Sequence, residues 1–316
     1  MENNDKHLSF VEQVQAIPGG EHVSVCYSCG TCVSKCMIQQ KVEPDYNPRR
    51  LLRMVMMGMR EEAFESPTTW MCSECDLCYS SCPQEIHISG VIGAVKQLAV
   101  EAGYKTPLEV VSVDENLCSG CGICVMTCPY EAPHLIEKEV DGELDRFSEV
   151  DAEKCMGCGM CVAACPIGAI SRPGVSNAEV VSQIKIKKKR GKKSLIVFVC
   201  DWSLREDDDV VLLESYPDNV RIIHIPCTGR IDPQMALIAL NSGIDGVLVV
   251  GCKPGECHYK RGTYVSDCKI NLLNTMLGQM QLADGRVRFV QIGTQDRGRI
   301  RHEVDDMLAL LEKEAV

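Results

Sequence analysis

At 316 residues the chain is long enough for two or three domains, and its formal charge of -11 argues against nucleic acid as a general partner. Aromatic residues make up only 5 %, so the first half of the chain cannot rely on large aromatic cores. The opening MENNDKHLSF has no signal-peptide core and no apolar run approaches bilayer length, so the 21 cysteines are expected in a reducing cytoplasm, without a disulfide scaffold or a membrane span.

Sixteen cysteines fall into four runs of one spacing, C-x2-C-x2-C-x3-C. They are Cys26, Cys29, Cys32 and Cys36; Cys72, Cys75, Cys78 and Cys82; Cys118, Cys121, Cys124 and Cys128; and Cys155, Cys158, Cys161 and Cys165. Three thiolates two residues apart on a tight loop grip three corners of an iron-sulfur cubane, and the fourth lies too far along to close the same cube. That fourth cysteine ligates the partner run's cluster. Pairing in order predicts Cys118, Cys121 and Cys124 with Cys165, and Cys155, Cys158 and Cys161 with Cys128. It likewise predicts Cys26, Cys29 and Cys32 with Cys82, and Cys72, Cys75 and Cys78 with Cys36. Four 4Fe-4S clusters follow. Zinc takes four ligands, commonly as two C-x2-C pairs or with histidines, and these tetrads overshoot that pattern. The C-x3-C-x2-C of a radical-SAM cluster is absent.

Taken in chain order, residues 1–105 read as an α-helical ferredoxin. Between Cys36 and Cys72 Asn47 can cap a helix, Pro48 suits its first position, and RRLLRMVMMGMREEAF follows with helix formers. A second helix over 89–102 carries Val91, Ile92, Val95, Leu98 and Ala99 at helical spacing. Met54, Met56, Met57 and Met59 are expected to pack beside a cluster, a Met-rich docking face being the competing reading.

Residues 106–175 read as an α+β two-cluster ferredoxin of the bacterial type. Between Cys128 and Cys155 lie two strand-like stretches around Asp141-Gly142, a strong hairpin signal. Residues 176–193 hold a turn-rich segment and a basic cluster, Lys185, Lys187 to Arg190, Lys192 and Lys193, expected as a solvated linker. A docking strip for an acidic partner is the alternative.

Over 194–316 strands and helices alternate. SLIVFV, VRIIHI, GVLVV and RVRFVQI are separated by helical stretches such as DPQMALIALNSG and the final QDRGRIRHEVDDMLALLEKEAV, which predicts an α/β domain with a mainly parallel sheet. Cys200, Cys227 and Cys252 follow three strands, at the edge where such sheets build their sites, and Cys257 comes five residues after Cys252. Four converging thiols suggest a fifth metal site, and spacing alone admits 2Fe-2S, 4Fe-4S or zinc. Competing readings are small buried residues or a redox dithiol. Cys268, within an expected helix, reads as a spare buried thiol. Lys253, His258, Lys260 and Arg261 are either surface charges or cations raising the potential of this site.

With these residues in hand, three resemblances emerge. Residues 1–105 resemble the C subunit of heterodisulfide reductases, with Met37 in place of the usual proline after Cys36 and Cys82-Pro83 conforming, a change of loop stiffness more than of ligation. The second module resembles a two-cluster bacterial ferredoxin, with Cys128-Pro129 and Cys165-Pro166 in place. In FVCDW, IPCTGRIDP and VVGCKPGECHYKRG the last module resembles the delta subunit of methyl-viologen-reducing hydrogenase. That family carries a 2Fe-2S cluster and joins a hydrogenase or formate dehydrogenase to the flavin subunit of a heterodisulfide reductase-type complex. Ser203 stands where the family usually has a second cysteine, leaving Cys200, Cys227, Cys252 and Cys257 as the expected ligands.

The resemblances imply an electron-transfer subunit within a cytoplasmic anaerobic oxidoreductase of the heterodisulfide reductase and hydrogenase type, which can include flavin-based bifurcation. The implied partners are a flavin-containing subunit like heterodisulfide reductase A and hydrogenase, formate dehydrogenase or other oxidoreductase subunits. No G-x-G-x-x-G follows a strand, so flavin is not expected on this chain. One rival is a catalytic subunit reducing a disulfide or other small molecule at the C-terminal cysteines. Against it, no serine-histidine-acid arrangement, motif-placed carboxylate pair or phosphate loop is present, and no catalytic residue is assigned. A metal-dependent scaffold or redox sensor is the other, and four tetrads exceed its needs.

Overall fold

The computed structural model describes residues 8–140, 142–185, 191–203, 216, 218–282, 285–293, 296 and 298–313. It divides into two compact units, Met1–Leu108 and Glu109–Val316.

The first unit is helical, and local chemistry explains its element boundaries. Helix α1 (Phe10–Gln15) starts at a reciprocal capping box between Ser9 and Glu12. Short helices α2 (Thr31–Ser34) and α3 (Met37–Lys41) follow the first cysteine run. At α4 (Pro48–Met56) the Asn47 side chain accepts from the Arg50 N–H at 3.0 Å, with Pro48 at the first position. The expected helical stretch then breaks, because Gly58 sits at φ +73°, and resumes as α5 (Arg60–Glu65). Helix α6 (Pro67–Met71) leads into the second run, and α7 spans Ile88–Glu101. Leu51, Leu52 and Val55 of α4 meet Val91, Ile92 and Val95 of α7 in one core, joined by Phe64 and Trp70. Met54 packs against that core, whereas Met57 is 64 % exposed.

The second unit opens with the ferredoxin module. Strands β1 (Ser112–Val113) and β4 (Ile170–Ser171) pair antiparallel, as do β2 (Pro133–Val140) and β3 (Glu143–Val150). Gly142, at φ +86°, supplies a left-handed residue of the hairpin turn, and Asp141 lies outside the described residues. Helices α8 (Ile123–Thr127) and α9 (Met160–Ala164) each follow a cysteine loop.

The stretch expected as a solvated linker begins instead as helix α10 (Asn177–Gln183), started by a Ser176–Glu179 capping box. Its Val180, with Ile184 just beyond, is buried in the core of the α/β domain, while residues 186–190 lie outside the described part. This packing ties the ferredoxin to the domain that follows, so no division between units falls there.

That domain is a four-stranded parallel sheet of order β6-β5-β7-β8, built from β5 (Leu195–Cys200), β6 (Val220–Ile225), β7 (Gly246–Cys252) and β8 (Val287–Ile292). The inner strands LIVFVC and GVLVVGC are buried throughout, as continuous apolar strands covered on both faces must be. Ile196, Phe198, Val247 and Val249 face α11 (Pro233–Asn241) and α12 (Gly262–Gln279). Leu195, Val197, Leu248 and Val250 face α13 (Arg299–Lys313) through Ile300, Val304, Met307 and Leu311. The order places β5 between the strands that follow it, so the chain leaves its carboxyl end in opposite directions and opens a crevice there. Among the described residues no helix is long and apolar enough to cross a membrane.

Candidate iron-sulfur sites

The four cysteine loops share a backbone device. In each, the residues immediately before and after the second cysteine take positive φ: Ser28 and Gly30, Glu74 and Asp76, Gly120 and Gly122, Gly157 and Gly159. Left-handed residues interleaved with ordinary ones curl successive backbone N–H groups inward, forming the anion-binding concavity used by many iron-sulfur sites. Asp76 accepts from Ser89 and lies 3.2 Å from His87 Nε2, contacts that hold a non-glycine residue in this conformation.

The ferredoxin module forms two cavities. One is lined by Cys118, Cys121, Cys124 and Cys165. The other is lined by Cys128, Cys155, Cys158 and Cys161. Each takes three cysteines from one run and the fourth from the other. In the first, Ser148 N donates to Cys118 Sγ at 3.4 Å, Ala169 N to Cys165 Sγ at 3.2 Å, and the Ser148 hydroxyl lies 3.2 Å from Cys124 Sγ. In the second, burial pushes Cys158 up to about 12 and raises Cys161 further, with neighbouring thiols adding to both. Such thiols keep their protons until a metal displaces them.

In the helical unit Cys36 interacts electrostatically with Cys72 and Cys75, and Cys78 with Cys72, Cys75 and Cys36. Burial raises Cys72 to about 12, opposed by the Glu74 backbone N–H and by a hydrogen bond from the Tyr46 hydroxyl. Tyr46 is 1 % exposed, a cluster-side donor that nothing in the sequence marked. Cys32 is raised to about 11 by burial and by Cys26 and Cys29. Cys82 packs against the same core as Cys26 and Cys32.

At the carboxyl edge of the parallel sheet, Cys200 ends β5, Cys252 ends β7 and Cys227 follows β6. Cys200 and Cys252 Sγ lie 3.7 Å apart. Cys227 donates to Cys257, which raises Cys227 and lowers Cys257, and charge interactions cross between the two pairs. Gly262 at the start of α12 makes room for them, since a β-carbon there would overlap Cys227 Sγ. Ser203 is buried and its hydroxyl donates to the Cys200 carbonyl at 2.8 Å, within its own turn. Cys268 is exposed on α12, not buried as expected, because its position falls on the helix face away from Ile270 and Leu273. His258 is no cation: stacked on Trp202 at 3.4 Å, it is pushed down to about 3 by burial and stays neutral. Lys253 is paired with Asp296 at 2.6 Å, and Lys260 lies 5.0 Å from the Tyr130 ring centroid of the ferredoxin module.

The ferredoxin cavity holding Cys158 and this cysteine quartet are neighbours. Cys158 exerts charge effects on Cys227 and on Tyr259, which also feels Cys227 and is 7 % exposed. The turn Thr228–Arg230 bridges them: a β-carbon on Gly229 would meet Met160 Cγ of α9 at 2.8 Å. Arg230 has no exposed surface, and its Nε and Nη2 donate to the Val175 carbonyl at 2.9 and 2.7 Å. Lys269 Nζ clamps the same turn through the carbonyls of Gly229 and Ile231 at 3.1 and 3.2 Å.

Converging thiols and inward N–H groups fit anionic iron-sulfur clusters. Among the described residues no three His, Cys, Asp or Glu side chains form a site for a single metal ion, and a cluster of several irons spaces its thiolates more widely.

Residues 195–313 match the family of the methyl-viologen-reducing hydrogenase delta subunit, and residues 22–86 and 105–171 match two 4Fe-4S dicluster domains, which indicate 4Fe-4S clusters in both. The iron-sulfur D subunit of the F420-non-reducing hydrogenase from Archaeoglobus profundus is 31 % identical over 122 residues, 38 % of this chain and 89 % of that protein. The C subunit of the H(2):CoB-CoM heterodisulfide,ferredoxin reductase from Methanothermobacter marburgensis is 32 % identical over 105 residues, 33 % of this chain and 54 % of that protein. The A subunit of the ferredoxin:CoB-CoM heterodisulfide reductase from Methanosarcina mazei is 29 % identical over 149 residues, 46 % of this chain but only 19 % of that protein. The homologues are thus subunits of heterodisulfide reductases and a hydrogenase, and the chain joins parts that resemble separate subunits.

Proposed function

Because the chain belongs to the methyl-viologen-reducing hydrogenase delta-subunit family, we propose that it relays electrons between subunits of an anaerobic complex of the heterodisulfide reductase and hydrogenase type. In this reading Cys118, Cys121, Cys124 and Cys165 hold one 4Fe-4S cluster, and Cys155, Cys158, Cys161 and Cys128 a second. Cys26, Cys29, Cys32 and Cys82 hold a third, and Cys72, Cys75, Cys78 and Cys36 a fourth. Cys200, Cys227, Cys252 and Cys257 hold a 2Fe-2S cluster. When bound, such clusters accept and release single electrons.

The chain's own groups bind and tune. The left-handed loop pairs direct N–H dipoles at the thiolates, Tyr46 and Ser148 add hydroxyl donors, and the Trp202, His258 and Tyr259 rings keep water from the C-terminal thiols. One observation carries the reading: the C-terminal quartet sits beside a ferredoxin cavity, so a relay can continue from one module into the next. A flavin subunit would take one end of the path and a hydrogenase or formate dehydrogenase subunit the other.

Anaerobic loading followed by iron and sulfide counting is expected to give about 18 irons per chain. A count near eight, or zinc at the C-terminal cysteines, would sink the five-cluster reading. Anaerobic co-purification is expected to bring down oxidoreductase subunits, and rapid disulfide reduction by the isolated chain would favour catalysis instead.

A further inference from the structure

The two ferredoxin loops are equivalent in spacing and backbone, yet what lies over them differs in charge. Over the first, a β-carbon on Gly120 would overlap the Arg146 carbonyl oxygen, and one on Gly122 would touch Leu135 Cδ1 at 3.4 Å. Over the second, Arg172 Nε lies 3.2 Å from a β-carbon on Gly157, and Arg230 Cδ lies 2.8 Å from one on Gly159. Cys158 is therefore flanked on both sides by glycines with guanidinium side chains packed on them. Neither arginine has a carboxylate within ion-pair distance among the described residues, although the charge of Asp232 acts on Arg230, and each carries a buried N–H, Arg172 Nε and Arg230 Nη1, that no protein acceptor receives. A buried, unreceived charged donor demands an explanation such as an anion the protein itself does not supply. In the helical unit Arg49 packs over Gly30 in the corresponding way, but that arginine is exposed and its charge is screened by water.

We propose that Arg172 and Arg230 are positioning cations that raise the reduction potential of the 4Fe-4S cluster held by Cys128, Cys155, Cys158 and Cys161 above that of its ferredoxin partner. The inference rests on the proposed function. One-electron reduction adds one negative charge to a site already held by four thiolates, and fixed positive charge nearby stabilises that form, most strongly where water is excluded. An electron given up at the loop of Cys118, Cys121 and Cys124 then moves downhill to the loop beside the C-terminal quartet. Arg230 also anchors the quartet's own turn, three residues after Cys227, so one side chain fixes the distance and biases the energy.

The test is an EPR-monitored redox titration of the full chain, loaded anaerobically and counted for iron. The signal of this loop is identified as the one missing from a Cys155→Ala/Cys158→Ala variant. In Arg230→Gln and Arg172→Gln with wild-type iron content, that signal is expected to shift to lower potential, and further than any other signal of the chain. The expected change is about tenfold in the one-electron equilibrium, or about 59 mV. Arg230→Lys keeps the charge and is expected to retain most of the wild-type value. If neither glutamine variant moves the signal, or lysine moves it as far as glutamine, the proposal is overturned. Should Arg230→Gln fail to take up iron, Arg172→Gln decides alone. A double cysteine variant with the wild-type iron count would instead mean that this loop holds no cluster, removing the function reading and the inference together.

Discussion

The two cysteine loops of the ferredoxin module are a controlled pair. They share the cysteine spacing, the left-handed residue on each side of the second cysteine and the short helix that follows, α8 in one and α9 in the other. They part in their surroundings. Cys121 is exposed and its loop is covered by a carbonyl, a leucine and neutral hydrogen-bond donors, whereas Cys155, Cys158 and Cys161 are all buried and two arginines pack on the glycines that flank Cys158. What repeats sets which thiols can share a cluster. What does not repeat sets the field around them, and so the direction in which an electron would travel between two otherwise matched sites.

The largest effect is expected at Gly120. Alanine there is forced into a left-handed conformation, which costs about 1–2 kcal/mol, and its β-carbon overlaps the backbone carbonyl of Arg146, which cannot swing away. Overpacking adds about 1–3 kcal/mol. Gly120→Ala is expected to lose about four irons, all from the first loop, and the second loop's EPR signal should survive. Wild-type iron content in this variant would break the claim that the loop depends on that close approach. Gly159→Ala is expected to be milder, because the atom it meets is a side-chain carbon of Arg230 that can give way. It should keep its iron but shift the second loop's potential in the same direction as Arg230→Gln, since the displaced guanidinium loosens from Val175. An unmoved potential with full iron would mean that the position of Arg230 is not what matters.

Much of this arrangement was legible beforehand because it is local. Cysteine spacing, the Asn47-Pro48 cap, the Asp-Gly hairpin and the apolar strands of the sheet each depend on neighbours in sequence. Helix α10 is written in the capping box of Ser176 and Glu179, but the basic run that follows it reads as solvated linker. The left-handed pairs were visible only where glycine marks them. Ser28, Glu74 and Asp76 adopt the same conformation without the signature, Asp76 with help from Ser89 and His87. Arg172, Arg230 and Tyr46 were illegible for another reason. Nothing in a single chain tells a buried arginine from a solvated one until a distant turn is folded onto the loop it covers. The same limit turned His258 from an expected cation into a neutral ring and Cys268 from a core thiol into an exposed one.

The smallest expected effect sharpens the comparison most, because it asks whether neutral dipoles could do over the first loop what charges do over the second. Ser148 is buried, its hydroxyl lies 3.2 Å from Cys124 Sγ, and its backbone N–H donates to Cys118 Sγ at 3.4 Å. With Cys124 as a thiolate, the hydroxyl is the donor. Ser148→Ala removes that donor and keeps the backbone one. A hydrogen bond to a charged group contributes about 1.5–3 kcal/mol net, but the thiolate is present in both oxidation states, so only the difference between them moves the potential and the expected shift stays below about 59 mV. Its direction is negative, because the lost donor favoured the more negative, reduced form. Only the first loop's signal should move, and less than the second loop's signal moves in Arg230→Gln. A shift as large as that of the arginine variant would show dipoles matching charges, and the contrast between the loops would then rest on solvent exposure, Cys121 against Cys155 and Cys158, instead of on the guanidinium groups.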